Sequence, residues 1–303
     1  MNPLAKAELE AAFTRIATDR SHGATELAAA ALAALVNSAE ALATEGEDYL
    51  AACRALAVRV GQLRPSMASL GNWAAAYLNE LEARRNGVEP WREAALAIEQ
   101  RRSDVSRRLV EEVRRLLRPP ASRLLTLSYS STVAQALALL GRPIEIVIGE
   151  ARPLLEGRKL ASAMVEAGHR VTLVTDAALS HEAGQADLVL LGADTIGRDG
   201  TAINKTGSFA AALGAKRAGV PVYVVADRYK LEPNRDGRDL LLEVMPGEEI
   251  WPEAAGLCRN IYFEPVPADL ITAFVMDCGV VAPGALGSLL EEIRAIRRAL
   301  EPR

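Results

Sequence analysis

Residues 187–194, Asp-Leu-Val-Leu-Leu-Gly-Ala-Asp, decide how the fold is read. Leu188 to Leu191 are apolar without a break, with Asp187 on one side and Gly192 on the other. A run this short and continuous suits a strand buried on both faces, as in a parallel sheet. Similar runs occur on either side of it: RLLTL (123–127), IEIVIG (144–149), VTLVT (171–175), VPVYVVA (220–226) and IYFEPV (261–266). Helical segments separate most of them. That alternation predicts an α/β fold, a doubly wound Rossmann-like sheet with helices on both faces.

Residues 1–118 have another rhythm. Apolar positions recur at three and four, as in Leu27, Leu32, Leu35 and Val36, then Leu50, Cys53, Leu56, Ala57 and Val60. This is helical periodicity, and it predicts four or five helices packed as a bundle. Breaks are expected at Ser21-His22-Gly23, Glu45-Gly46-Glu47, Arg64-Pro65 and Asn86-Gly87. A helix over 90–117 should end where Arg118-Pro119-Pro120 cannot continue it. Its arginines alternate with Glu111 and Glu112, the pattern of a solvated face. The expected division is a helical N-terminal domain, 1–118, and a Rossmann-like domain, 119–303.

Composition narrows the classes. The 303 residues are 50% hydrophobic and 24% charged with a formal charge of −4, which argues against a dedicated nucleic-acid binder. Cys53, Cys258 and Cys278 offer neither a disulfide framework nor zinc spacing, so a cytoplasmic location is expected. No secretory leader is apparent at MNPLAKAELE, and no uninterrupted apolar run predicts a membrane span.

Ligands of open parallel sheets bind at the carboxyl ends of the strands. After the first strand come Ser128-Tyr129-Ser130-Ser131 and a helix, where Ser130 and Ser131 either bind an anion or only cap the helix. The second strand leads to Arg152, suited to a phosphate or to an ion pair with Glu150 or Glu156. Asp176 reads as a helix cap. The fourth strand delivers Asp194, and Asn204 and Lys205 are expected at the entrance of the next helix, with Asp194–Lys205 pairing as the plain alternative. The fifth adds Asp227-Arg228-Tyr229-Lys230. Cys278, within FVMDCGVV, reads as a buried structural thiol, and His169 and His181 read as surface residues. In the helical half, Arg20, His22, Gly23 and Ala24 share one break that is placed to close over the sheet edge.

Across these motifs, residues 123–283 resemble the alpha, beta and delta regulatory subunits of eukaryotic initiation factor 2B and their isomerase relatives. Those relatives act on ribose 1,5-bisphosphate and methylthioribose 1-phosphate. The resemblance rests on TLSYSS (126–131), GEARPLLEG (149–157), VTLVTDAALSH (171–181), GADTIGRDGTAINKTGS (192–208), GVPVYVVADRYK (219–230) and PADLITAFVMDCGVVAP (267–283). RSHGATEL (20–27) resembles the family's N-terminal helix entrance more weakly. The resemblance implies a proton-transfer pair of one cysteine and one aspartate. Asp194 matches the aspartate, and Ser128 stands in the cysteine's place. It also implies a phosphorylated sugar as ligand, held by Arg20, Gly23, Ala24, Ser130, Ser131, Arg152, Asn204 and Lys205.

Two readings follow. One is an isomerase converting an aldose 1-phosphate to a ketose phosphate through Asp194. The other is an inactive ligand-sensing or regulatory protein, favoured by Ser128, because a serine hydroxyl ionises far less readily than a thiol. An assembly role in translation ranks below both. No cofactor is expected, since neither a metal cluster nor GxGxxG occurs. The resemblance also implies a homodimer, with Leu270-Ile271 and Phe274-Val275 read as either contact or core.

Overall fold

The computed structural model describes residues 3–44, 49–118 and 122–301. Five helices come first: α1 (Pro3–Thr18), α2 (Ala24–Thr44), α3 (Tyr49–Leu63), α4 (Ala68–Ala83) and α5 (Pro90–Leu116). Three of the expected breaks fall between them. The Glu45-Gly46-Glu47 break and the Pro119-Pro120 boundary lie outside the described residues. Over Ala24–Ala43, α2 is long and apolar enough to cross a membrane by length and composition alone. Glu26 and Glu40 interrupt its apolar run. Here α2 is packed inside the bundle, with Leu27, Ala28, Ala31, Leu35 and Ala39 buried against its neighbours.

Helix α5 links the two regions. Pro90 sits in its first turn, where no intrahelical N–H is missed. Its early residues Ala94 and Ile98 belong to the bundle's core, whereas Leu109, Val110 and Val113 pack with Leu124, Val133 and Ile146 of the sheet region. On its outer face Arg107 pairs with Asp104 and Glu111, and Arg115 pairs with Glu112. Arg107 and Arg115 therefore lie on the solvated face that their spacing implied, whereas Arg101 turns to Glu80 of α4 and Arg102 to the Trp73 ring.

The sheet is built from β1 (Arg123–Leu127), α6 (Ser131–Ala138), β2 (Glu145–Gly149), α7 (Glu156–Glu166), β3 (Arg170–Val174), α8 (Leu179–Ala183) and β4 (Leu188–Gly192). A hairpin follows, β5 (Thr195–Ile196) and β6 (Ala202–Lys205), then α9 (Ser208–Ala218) and β7 (Val222–Val225). The chain closes with β8 (Val244–Met245), β9 (Asn260–Ile261), β10 (Phe263–Val266), β11 (Ala273–Met276), β12 (Gly279–Val281) and α10 (Gly287–Arg297). The main sheet has the order β12-β11-β7-β4-β1-β2-β3, parallel throughout except for β12. All five residues of β4 are buried, as their apolar run required. At the edge, β3 leaves Thr172 and Leu173 exposed, so the sheet is not covered on both faces there.

Several expectations are corrected. IYFEPV does not join the parallel sheet. It is divided between β9, which pairs with β8, and β10, which pairs antiparallel with β6. Pro265 supplies no N–H to a ladder, which suits a small peripheral sheet. The sixth main-sheet strand that is parallel is β11, from the segment read as packed C-terminal chain. Cys278 is exposed in the turn that joins β11 to β12. His169 is buried, with Nε2 2.9 Å from the Leu137 carbonyl and Nδ1 accepting the Ile144 N–H at 3.3 Å. A hydrogen-bond partner at each ring nitrogen makes that burial tolerable. His181 is on the surface, as expected.

Candidate functional site at the sheet's switch point

Strand order reverses between β1 and β4: the chain leaves β1 toward β2 and leaves β4 toward β7. The carboxyl ends of β1 and β4 therefore diverge and open a crevice. The α1–α2 turn roofs this crevice, so that Arg20, Gly23 and Ala24 line one pocket together with Ser128, Ser130, Ser131, Asp194, Asn204 and Lys205. Of the expected site residues, Arg152 alone is not in this lining. Its exposed guanidinium is 3.4 Å from the Ile250 carbonyl, and Glu150 and Glu156 pair with other cations.

The β1 end is shaped by Ser128, a non-glycine residue held at φ 63°. Such a left-handed conformation costs about 1 kcal/mol or more and persists only where the surroundings enforce it. Ser128 is 7% exposed, and its hydroxyl has no hydrogen-bond partner among the described residues. Ser130 then caps α6, its hydroxyl accepting the Val133 N–H at a long 3.4 Å. Both readings of these serines hold: Ser130 is a helix cap and also lines the pocket.

At the β4 end, Gly192 and Ala193 lead to the half-buried Asp194. Burial raises the Asp194 carboxyl above the ordinary carboxylate range, against the opposing pull of Lys230, Lys205, the Ala24 N–H and Arg64. A carboxyl held between a desolvating pocket and two ammonium groups is suited to accept and return a proton.

Asn204 and Lys205 are not at a helix entrance. They end strand β6, whose Asn204 pairs with Glu264 of β10. The next helix, α9, starts only after Gly207, which stands at φ 108°. The Glu264 carboxylate occupies that entrance, accepting the Gly207 N–H at 2.7 Å and the Phe209 N–H at 2.8 Å. Asn204 donates to the Ser208 hydroxyl at 2.8 Å. Lys205 is buried, and its ammonium is 2.6 Å from Glu156 Oε1 rather than paired with Asp194. Asp176 is not a helix cap either: its carboxylate accepts the N–H groups of Ala151 and Arg152 and so pins the loop after β2.

Glu156 reaches the pocket because Gly157 lets α7 start directly against the β2 end. A Cβ on residue 157 would stand 2.0 Å from the Gly149 carbonyl oxygen. The roof is tied down by polar contacts. Asp19 accepts the Ser21 and His22 N–H groups, each at 2.8 Å, and its other oxygen pairs with the His22 ring. That contact with Asp19 raises the His22 pKa. Arg20 bonds Glu249 at 2.6 Å, and Glu249 also accepts the Tyr262 hydroxyl. The buried Arg64 donates to the Asp19 carbonyl at 2.8 Å and pairs with Glu243.

The sequence pattern of the Initiation factor 2 subunit family matches residues 20–283. The chain belongs to that family. A probable bifunctional methylthioribose-1-phosphate isomerase/methylthioribulose-1-phosphate dehydratase of Nocardia farcinica is 32% identical over 285 residues, covering 86% of this chain and 51% of its own. The chain thus spans about half the length of that relative. A ribose 1,5-bisphosphate isomerase of Haloferax volcanii is 28% identical over 303 residues, covering 94% of this chain and 92% of its own. Among solved structures, the translation initiation factor eIF-2B of Pyrococcus horikoshii OT3 superposes with a TM-score of 0.77 at 25% identity, covering 91% of this chain and 97% of that one.

Among the pocket side chains of this family member that sequence reasoning missed are Arg64, Glu156, Lys159, Lys230 and Tyr262. Lys230 was visible as charge after the fifth strand. Its ammonium is buried and donates to the Ala193 carbonyl at 2.6 Å, one residue before Asp194. Arg64 stood beside a recognised break, but nothing in the sequence told where that break would fold. Tyr262 was hidden inside a run taken for a core strand.

Proposed function

We propose that this chain binds a phosphorylated sugar in the switch-point pocket and acts as an aldose–ketose isomerase of the ribose 1,5-bisphosphate type, working through Asp194. The observation that carries the reading is Asp194 itself: a carboxyl of raised pKa at a sheet's carboxyl edge, facing Lys205 and Lys230. The names of the relatives, isomerases of sugar phosphates, support the same chemistry. In such a reaction the sugar ring opens, the hydrogen on C2 moves to C1, and the O2 proton passes to the oxygen freed by opening. Atoms and electrons balance without a redox partner, and the phosphate stays on C1.

Asp194 relays the proton between the adjacent carbons, while Asn204 and Lys205 hold the O2 oxygen as charge develops there. Ser128 assists only by hydrogen bonding. Arg20, Gly23 and Ala24 close the site from the roof, and Ser130 and Ser131 face the phosphate. We place Arg152 at the rim, on the loop pinned by Asp176. The three free cysteines support a cytoplasmic location. A homodimer remains part of the proposal, but Leu270, Ile271, Phe274 and Val275 are buried within the chain and do not form its contact.

Ser128 favours a second reading, a ligand sensor that retains the pocket without turnover. A thermal-shift series with phosphorylated pentoses, followed by a ketose assay, separates the two. A stabilised fold and a ketose product that is lost in Asp194→Asn support the isomerase. A shift without product supports the sensor, and no shift with any phosphosugar contradicts both.

A further inference from the structure

The pocket's cations are already committed, with one exception. Lys205 is held by Glu156, Lys230 by the Ala193 carbonyl, Arg64 by Glu243 and Arg20 by Glu249. Lys159 alone among the pocket's lysines and arginines has no carboxylate or carbonyl partner among the described residues. It lies over the Tyr129 ring, its ammonium 4.0 Å from the centroid, beside the α6 entrance. At the same entrance the Ser128 hydroxyl also has no hydrogen-bond partner among the described residues. A dianionic phosphate requires cations or free donors, and this end supplies both.

Glu156 marks the opposite character. One carboxylate oxygen holds Lys205, and the other, Oε2, is buried without a hydrogen-bond partner among the described residues. A buried acceptor left open is costly and calls for a donor. A sugar hydroxyl supplies one, whereas a second phosphate placed there faces a like charge and a lysine already neutralised.

We infer that Glu156 selects the charge of the ligand: the pocket takes a sugar carrying one phosphate, seated at Ser128 and Lys159, with a neutral hydroxyl on Glu156. The assignment rests on the sugar-phosphate reading: the aldose-to-ketose reaction type is kept, and the ligand is narrowed to a monophosphate. Rejection comes from a charge built against the wrong ligand rather than from contacts to the right one.

Calorimetric titration with ribose 1-phosphate and ribose 1,5-bisphosphate, on the wild type and on Glu156→Gln, tests it. The wild type should prefer the monophosphate by about tenfold or more. Glu156→Gln, nearly equal in shape, should narrow or reverse that ratio by strengthening the bisphosphate. Lys159→Met should weaken the monophosphate by about tenfold. Equal affinities in the wild type, or a ratio unchanged in Glu156→Gln, overturn the charge selection while the sugar-phosphate reading stands. Should Glu156→Gln fail to fold, the wild-type ratio and Lys159→Met decide. No binding of either ligand to the wild type contradicts the sugar-phosphate reading and the charge selection together.

Discussion

Two helix entrances on the same sheet edge read almost alike as sequence and differ in three dimensions. At α6, Ser128 and Ser130 face an open pocket, and Lys159 stands nearby with no carboxylate partner among the described residues. At α9, the entrance is closed by Glu264, which takes the Gly207 and Phe209 N–H groups for itself. A helix N-terminus attracts an anion in either case. It is open to a ligand only where the chain has not provided its own. Here β10, through its pairing with β6, brings Glu264 to α9, and among the described residues no carboxylate accepts the N–H groups at the α6 entrance.

The sharpest test of this contrast removes the group between the two ends. Asp194→Asn should lower ketose formation by about 10²- to 10⁴-fold in a steady-state assay, the usual contribution of a positioned acid–base group. Retained turnover would move the chemistry elsewhere on the edge. Next in size is Gly157→Ala. Since the added Cβ collides with the Gly149 carbonyl, the fold should lose about 3 kcal/mol in denaturant unfolding. An unchanged midpoint would show that α7 can withdraw from β2.

The two caps should respond differently. Glu264→Ala should cost about 1 kcal/mol of stability and leave phosphosugar affinity within about twofold, since α9 serves the fold. Ser130→Ala should cost less stability, because its cap bond is long, yet weaken the ligand by about fivefold. Melting curves read one effect and calorimetry the other. Interchanged results would break the comparison.

The smallest effect concerns pH. The raised Asp194 pKa means that the native state holds this proton more tightly than the unfolded chain does. Its favourable contribution is complete below the ordinary carboxylate value, about 4, and is lost as pH rises through the folded value. Asp194→Asn removes that loss, so the variant should melt above the wild type at neutral pH. The gain should vanish near about pH 3. A variant less stable than the wild type at neutral pH would show that Lys205 and Lys230 stabilise the charge more than burial opposes it.

The contrast also shows what could be read in advance. The buried run 188–191 and the similar runs around it pointed to the parallel sheet, the sheet's geometry placed Ser128 and Asp194 at one edge, and the break beside Arg20 suggested the Gly23 turn as their cover. Local patterns carried that far because each strand is specified by its own residues. What they could not give was pairing at a distance. Lys205 chose Glu156 over Asp194, and Glu264 closed α9, through contacts between segments 49 and 57 residues apart. Pro265 was the one local sign that IYFEPV belonged to another sheet. The burial of His169 rests on Ile144 and Leu137, and the exposure of Cys278 on a turn; neither follows from composition.

A crystal structure of the chain with ribose 1-phosphate would decide which helix entrance holds the phosphate. Phosphate is expected at the α6 entrance, on Ser128, Ser130, Ser131 and Lys159, with the C1–C2 edge of the sugar beside Asp194. Ligand seated at the α9 entrance, or a switch-point pocket empty at saturating ligand, would contradict that placement.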